Sequence, residues 1–180
     1  MDYLKLLCED SSLAANFDAL FDFFLLDEPT KRDEVEGRCT FSVDGVAFAR
    51  DGAGGEYHQL EDGSIGSMSS EGECGRIAES VDDLIHLLVY SICWHDYCDA
   101  SQYTDISTLE AYANERHDQI ASYTEMDVWE TVVQVLGMPL EANVAAELQK
   151  FYDAAHRAPL YICYFHEDDG TVTESHNLFF

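Results

Sequence analysis

Residues 44–89 read DGVAFARDGAGGEYHQLEDGSIGSMSSEGECGRIAESVDDLIHLLV, and this stretch is the most informative part of the sequence. It contains short runs in which apolar residues alternate with other residues, which is the period of a β-strand. These runs lie at 46–50, 56–60, 64–68 and 75–78. Turns that are mostly rich in glycine separate them, and Asp62-Gly63 is a dipeptide that favours a type I′ hairpin. The stretch therefore predicts an antiparallel meander of about four short strands.

A helix with clear start signals follows the meander. Ser80 is a good N-cap residue, and Asp83 stands three positions later, in a variant of the capping box. The apolar residues that recur at helical spacing are Val81, Leu84, Ile85, Leu88 and Ile92. Because such a stripe has to be buried, we expect this helix to lie across one face of the meander. The sequence thus predicts an α+β fold, an antiparallel or mixed sheet meander packed against helices.

Residues 48–88, FARDGAGGEYHQLEDGSIGSMSSEGECGRIAESVDDLIHLL, resemble the SMI1/KNR4 family, also called the SUKH superfamily. Four elements carry the resemblance: a Phe-Ala-x-Asp-Gly element, a Gly-rich turn before a Tyr-bearing strand, a further turn and strand, and an Ile-Ala-x-Ser junction into an apolar helix. They lie at 48–52, 54–57, 62–65 and 77–88. The resemblance implies a SUKH-like fold. It also implies a non-catalytic role, since bacterial members are typically immunity proteins that bind and neutralise a toxin domain.

Length and charge narrow the class of partner. A chain of 180 residues is long enough for one domain spanning 1–180 with a substantial core. Its 9 basic and 36 acidic residues give a net charge of −27. Phosphate contacts need Lys and Arg, so this charge argues against nucleic acid and against an anionic membrane as partners. A basic protein partner remains, and the plainer alternative is that the charge serves solubility.

The charge is also unevenly distributed. Between Arg76 and Lys150 the only basic side chain of the Lys or Arg type is Arg116. The acidic residues in this span include Asp82, Asp83, Asp96, Asp99, Asp105, Glu110, Glu115, Asp118, Glu125, Asp127, Glu130, Glu141 and Glu147. The sequence predicts a strong negative field over this part of the molecule, with solvated helix faces as the alternative interpretation.

The first residues do not resemble a targeting signal, because Asp2, Glu9 and Asp10 stand where a signal peptide is basic. No run reaches the roughly 18 apolar residues that a transmembrane helix needs. The cysteines are Cys8, Cys39, Cys74, Cys93, Cys98 and Cys163. Without an export signal, we expect a cytoplasmic protein with reduced thiols.

The flanking segments add helices and a second hairpin. An N-terminal helix is predicted with an apolar face made of Leu13, Phe17, Leu20, Phe21, Phe24 and Leu25, followed by a polar link at 27–32. Residues 39–43 are predicted to form a strand that pairs with 46–50 through Asp44-Gly45. At the C-terminus, the apolar run 160–165 and the turn at 168–170 predict a hairpin that either joins the sheet edge or forms a small second sheet.

Three further helices are predicted in the second half of the chain. Ser107 with Glu110 indicates one N-terminus, and Thr124 with Asp127 indicates the next. Gly137 is the expected residue just after the second of these helices, because glycine tolerates the left-handed conformation found there. The third helix is predicted to carry an apolar face from Val144 and to end before Pro159.

Cys93, His95 and Cys98 are the candidates for metal binding or catalysis. Thiolate and imidazole are zinc ligands. No second Cys/His pair has suitable spacing, however, and no motif for a nucleophile flanks these residues. We therefore expect no enzyme activity and no metal or organic cofactor. An enzyme or metal-binding protein built on this region, or a regulatory scaffold like the fungal relatives, remains the alternative.

The charge predicts binding of a basic protein, and the resemblance implies that this partner is the cognate toxin of a bacterial toxin–antitoxin pair. Many such toxins are nucleases with a basic cleft, and an acidic inhibitor is steered onto such a cleft. The candidate contact residues, expected to be exposed on or near the turns of the meander, are Asp51, Glu56, Tyr57, Glu61, Asp62, Glu71 and Glu73. The alternative for each of them is an ordinary role in a hairpin.

Overall fold

The computed structural model describes residues 2–31, 38–141 and 143–179. The α-helices of this part of the chain are α1 (Tyr3–Glu9), α2 (Ser11–Phe21), α3 (Val81–Ser91), α4 (Ile106–Ala121), α5 (Met126–Val135) and α6 (Val144–His156). Its strands are β1 (Phe24–Thr30), β2 (Cys39–Phe41), β3 (Gly45–Arg50), β4 (Glu56–Leu60), β5 (Ile65–Met68), β6 (Cys74–Ala78), β7 (Cys163–His166) and β8 (Val172–Glu174). Short 3-10 helices at Trp94–Tyr97 and Ala100–Tyr103 connect α3 to α4.

The main sheet has five strands in the order β1-β3-β4-β5-β6, and every neighbouring pair is antiparallel. Strands β3 to β6 follow each other in space as they do in sequence, which confirms the predicted meander. The turn between β4 and β5 differs from the predicted type I′. That type needs positive φ at both central residues. Within this turn only Gly63 has a positive φ, of +85°. The loop has three residues, and the N–H of Leu60 donates to the carbonyl of Ser64 across it.

The predicted helix after the meander is confirmed as α3. The Ser80 hydroxyl accepts the N–H of Asp83 at 3.1 Å and donates to the Asp83 carboxylate at 2.7 Å. One face of the main sheet, including Tyr57, Ile65 and Ile77, belongs to a single apolar core shared with the helices. This arrangement of helices on an antiparallel sheet confirms the α+β class.

A second sheet of three strands, in the order β2-β7-β8, covers the face of the main sheet that points away from the helices. Tyr161 lies so close to Gly66 of β5 that a Cβ on that glycine would stand 2.4 Å from the tyrosine ring. Between the sheets lies a smaller apolar cluster of Val43, Leu60, Met68, Cys74, Tyr161 and Cys163. The C-terminal hairpin is therefore part of a second sheet, the latter of the two predicted alternatives.

The predicted hairpin at Asp44-Gly45 is wrong. Strand β2 pairs with β7, with Phe41 opposite Cys163, and does not pair with β3. The edge of β3 that β2 would need is already occupied by β1. The Asp44 carbonyl instead accepts the N–H of Glu61 at 2.9 Å. The Asp-Gly pair therefore takes the chain from one sheet to the other.

The N-terminal helix ends earlier than predicted. Helix α2 stops at Phe21, and Asp22 adopts the left-handed conformation, with φ 49° and ψ 47°. Phe24 and Leu25 then belong to β1, where they pair with Arg50 and Ala49. The predicted polar link is strand as far as Thr30, and its last residue, Arg32, lies outside the described residues. The edge position of β1 explains why it tolerates a proline at position 29.

Two predicted helix starts shift by one or two residues. Helix α4 is capped by Asp105, whose carboxylate accepts the N–H groups of Ser107 and Thr108 at 3.0 Å each. Thr124 does not cap α5, because its hydroxyl donates to the Ile120 carbonyl at 2.8 Å, at the end of the preceding helix. Gly137 has φ +65°, as predicted for the residue after α5. No helix in the described part of the chain is long and apolar enough to cross a membrane.

Candidate functional site

The meander separates the predicted contact residues into two groups. The turns at 51–55 and 69–73 lie at one end of the main sheet, and the turn at 61–64 lies at the opposite end. The seven candidate residues therefore do not form one surface. We call the first end the acidic end, defined by Asp22, Asp51, Glu71, Glu73 and Asp96. The opposite end, defined by Asp62, Arg76, Glu79 and Arg157, is the arginine end.

At the arginine end, a fully buried guanidinium organises the turn. Arg76 on β6 is 0% exposed. Its Nε donates to the Ser64 hydroxyl at 2.9 Å, and its Nη1 donates to the carbonyls of Arg157 and Pro159 at 3.0 Å each. Its Nη2 lies 3.6 Å from Asp62 Oδ2. A guanidinium can be buried in this way because most of its donors have acceptors.

Asp62 is tied into the same network. Its carboxylate accepts the hydroxyl and N–H of Ser64, and Arg157 donates to it at 2.6 Å. These hydrogen bonds, chiefly from Ser64 and then from Arg157, lower the pKa of Asp62 to about 2. Arg157 also forms an ion pair with Glu79, with 3.0 Å between its Nε and Glu79 Oε1. Asp62 is thus a structural carboxylate, and the exposed Glu61 is its neighbour on the same turn.

At the acidic end, carboxylates from separate elements converge. Asp22, just after α2, accepts the N–H of Gly52 at 2.8 Å, which brings it to the β3–β4 turn. Asp51 accepts the N–H of Gly55 across the same turn at 2.7 Å. Asp51, Glu73, Asp96 and Asp22 all lie within electrostatic range of the His95 ring. Carboxylates from separate segments are therefore found near this residue, and Glu71 lies on the same turn as Glu73.

Among the described residues, none of Asp22, Asp51, Glu71, Glu73 and Asp96 forms an ion pair with Lys or Arg. The cation next in sequence, Arg50, places its guanidinium over the Phe24 ring, 5.2 Å from the centroid. Ionised carboxylates only accept hydrogen bonds, so this surface is suited to ammonium and guanidinium groups.

Two of the predicted contact residues are engaged elsewhere. The predicted exposure of Tyr57 is wrong: it is 1% exposed and its hydroxyl accepts the indole N–H of Trp94 at 3.3 Å. Glu56 is half-buried and bonds Nε2 of His58 at 3.1 Å, while Nδ1 of His58 bonds the Tyr161 hydroxyl. Alternation along β4 explains both positions, because Tyr57 faces the helices and Glu56 and His58 face the second sheet.

Cys93, His95 and Cys98 do not converge as a ligand set. No group of three or more His, Cys, Asp or Glu residues able to hold a metal occurs within the described ranges. His95 is exposed, with its ring stacked on buried Trp94 at 3.6 Å between centroids. Cys98 is buried, which raises the pKa of its thiol to about 12. All six cysteines are described and are thiols.

Sequence reasoning missed Asp22 and Asp96 at the acidic end and Arg76 at the arginine end. The acidic residues are distant from the turns in sequence, so no local pattern links them. A signal for Arg76 did exist, because an arginine inside the apolar run 74–78 has to be paired if it is buried. Compared with protein-family models, curated proteins and solved structures, the chain has no match, so its resemblance to the SUKH superfamily remains a prediction.

Proposed function

We propose that this protein is a non-catalytic, cytoplasmic binding protein of the immunity type, which neutralises a basic toxin domain by covering it. The observation that carries the proposal is the acidic end, where five carboxylates have no Lys or Arg partner among the described residues. The SUKH resemblance supplies the biological context, and the net charge of −27 agrees with it.

The physical reason for preferring a protein partner is electrostatic. Close carboxylates repel one another, and the free energy of that repulsion is released when cationic side chains bind between them. A nuclease toxin presents such cations at its cleft, where they otherwise contact phosphates. Carboxylates held at a sheet end would occupy the same positions as phosphates and exclude the nucleic acid.

The proposed contact surface includes fewer of the predicted contact residues and adds two others. Asp51, Glu71 and Glu73 remain from the predicted set, and Asp22 and Asp96 join them. Asp62 is excluded as a main contact because its charge already faces Arg76 and Arg157. Glu56 is half-buried and bonds His58, and Tyr57 is buried, so neither is kept as a main contact. Glu61 is exposed but lies on the Asp62 turn, at the opposite end of the sheet from the acidic end.

The test is co-expression with a basic toxin domain, taken from the neighbouring gene where that gene encodes one. We expect a stable complex and protection from killing. The variant Asp51→Asn/Glu71→Gln/Glu73→Gln/Asp96→Asn should fold normally and lose protection at equal expression. Absence of both complex and protection with the wild-type chain would contradict the immunity function.

A matched control separates this surface from total charge. Glu28, Glu130, Glu141 and Asp153 are exposed acidic residues on β1, on α5, before α6 and on α6. Replacing these four by amides changes the net charge by the same amount. Protection should survive in this control variant, and equal loss in both variants would show that only the overall charge matters.

A further inference from the structure

An open groove lies among the helices close to the acidic end. It is formed by α2, by the residues after α3 and by the junction of α4 with α5, and has a volume of about 470 Å³. Its lining includes Leu20, Ile92, Cys93, Ile120, Tyr123 and Val128. The volume falls within the range of roughly 300–1,000 Å³ that is usual for clefts that bind ligands. We call this the interhelical groove.

The backbone at the floor of the groove is strained. Ile92 has φ 63° and ψ −50°, and the N–H of Cys93 bonds the carbonyl of Ser91 at 2.7 Å. This is a classic γ-turn, a rare conformation that is costly for a β-branched residue. The turn ends α3 abruptly and places Ile92 and Cys93 in the groove, where the chain would otherwise continue as helix.

The rim of the groove combines an exposed aromatic ring with negative charge. Tyr123 is 71% exposed, the largest exposure among the large hydrophobic residues described. Glu125 lines the groove, and none of its lining residues in the described part of the chain is Lys or Arg. Leu20 of the lining lies two residues before Asp22, and the N–H of Asp96 donates to the carbonyl of Cys93 at 3.2 Å. The groove therefore adjoins Asp22 and Asp96 of the acidic end.

We infer that the interhelical groove receives an apolar side chain from a basic segment of the protein partner, with flanking Lys or Arg residues on Glu125, Asp22 and Asp96. This inference rests on the proposed function and names the anchor of the same interface. Charge complementarity selects the occupant. A second copy of this chain, itself at −27, would bring like charges together.

The aromatic ring of Tyr123 fits the same occupant. An exposed tyrosine ring attracts Arg or Lys through its face, and aromatic residues beside apolar pockets are typical anchors of protein interfaces. The groove therefore offers an apolar pocket for one side chain of the partner. Carboxylates and the Tyr123 ring beside it can bind the Lys or Arg residues that flank that side chain.

The test uses two synthetic peptides of equal length and charge, one of leucine and lysine and one with serine in place of each leucine. Binding is measured by isothermal titration calorimetry at about 0.15 M NaCl. We expect the leucine peptide to bind at least about tenfold more tightly, because it buries apolar surface in the groove. It should also slow alkylation of Cys93 without slowing that of exposed Cys8.

Matched tryptophan variants locate the binding. Ala19 is exposed and lines the groove, whereas Ala111 is exposed on α4 outside the lining. Ala19→Trp should remove the tenfold preference, and Ala111→Trp should retain it, with circular dichroism confirming that both fold. No binding of the leucine peptide, equal binding of both peptides, or an unchanged preference in Ala19→Trp would each overturn the inference. Protection from the toxin is measured separately, so failure of the groove leaves the proposed function standing on its own test.

Discussion

The two ends of the main sheet use the same residue type in opposite ways. Both present carboxylates on tight hairpin turns. At the arginine end, Asp62 faces Arg76 and Arg157 and stabilises the turn. At the acidic end, the Asp51 carboxylate accepts the Gly55 N–H of its own turn and forms no ion pair with a Lys or Arg among the described residues. In this fold, an acidic turn residue is thus available to a partner at the end of the sheet where the described residues supply it with no Lys or Arg.

The ends are far enough apart to act independently. Strand β4 has five residues, and a strand rises about 3.3 Å per residue, so the ends are separated by roughly 15 Å. The Debye length at physiological salt is about 8 Å, which screens exposed charges over that distance. Changes at one end should therefore leave the other largely unaffected.

The largest effect is expected from Arg76→Met. The substitution leaves two carbonyls and the Ser64 hydroxyl without their donor, and should lower the free energy of unfolding by about 2–4 kcal/mol. Urea denaturation measures this. The control is Arg50→Met at the acidic end. The Arg50 guanidinium lies over Phe24 and forms no ion pair with another described residue, so this substitution should lower the free energy of unfolding by less than about 1 kcal/mol. Equal costs would remove the contrast between the ends.

A smaller effect is expected from Asp62→Asn. The substitution removes a negative charge beside the buried Arg76 guanidinium and should lower the free energy of unfolding by about 1–2 kcal/mol at neutral pH. The effect is limited because Asp62 is partly exposed to solvent. Because the pKa of Asp62 is lowered to about 2, its contribution is complete above the ordinary pKa near 4. The difference between wild type and variant should therefore shrink as pH falls from about 4 to 2.

Asp51→Asn is the matched change at the acidic end. It removes a repulsive charge but also weakens the bond to the Gly55 N–H. We expect a change in the free energy of unfolding of less than about 0.5 kcal/mol at neutral pH. A cost as large as that of Asp62→Asn would indicate that Asp51 is also a structural carboxylate.

The main sheet was predictable because its signals are local. Glycine-rich turns and period-two runs identified β3 to β6, and Ser80 with Asp83 identified α3. The strand partners of β1 and β2 were not predictable, because Phe24 and Leu25 also continue a helical stripe and an Asp-Gly pair suits any turn. The site was predicted only in part. Asp51 and Asp62 look alike in the sequence, but Asp62 is paired with Arg157, which lies 95 residues away in the chain. No local pattern could reveal that only one of the two carboxylates is paired.

The smallest effect concerns salt. Raising sodium chloride from about 0.02 M to 0.2 M should raise the melting temperature by a few degrees at neutral pH, because screening weakens repulsion among the carboxylates. The acidic-end amide variant should gain less than the control variant with four amides elsewhere. A melting temperature that falls on adding salt would contradict this view of the acidic end.

The most direct test is the rate at which the chain associates with its basic partner, measured by stopped flow between about 0.05 and 0.3 M NaCl. A long-range field acts mainly on encounter, so the wild-type association rate should fall steeply with salt while dissociation changes little. The acidic-end amide variant should associate at least about tenfold more slowly at low salt, whereas the control variant should remain within about threefold of wild type. Association that is insensitive to salt, or slowed equally in both variants, would contradict the claim that the acidic end captures the partner.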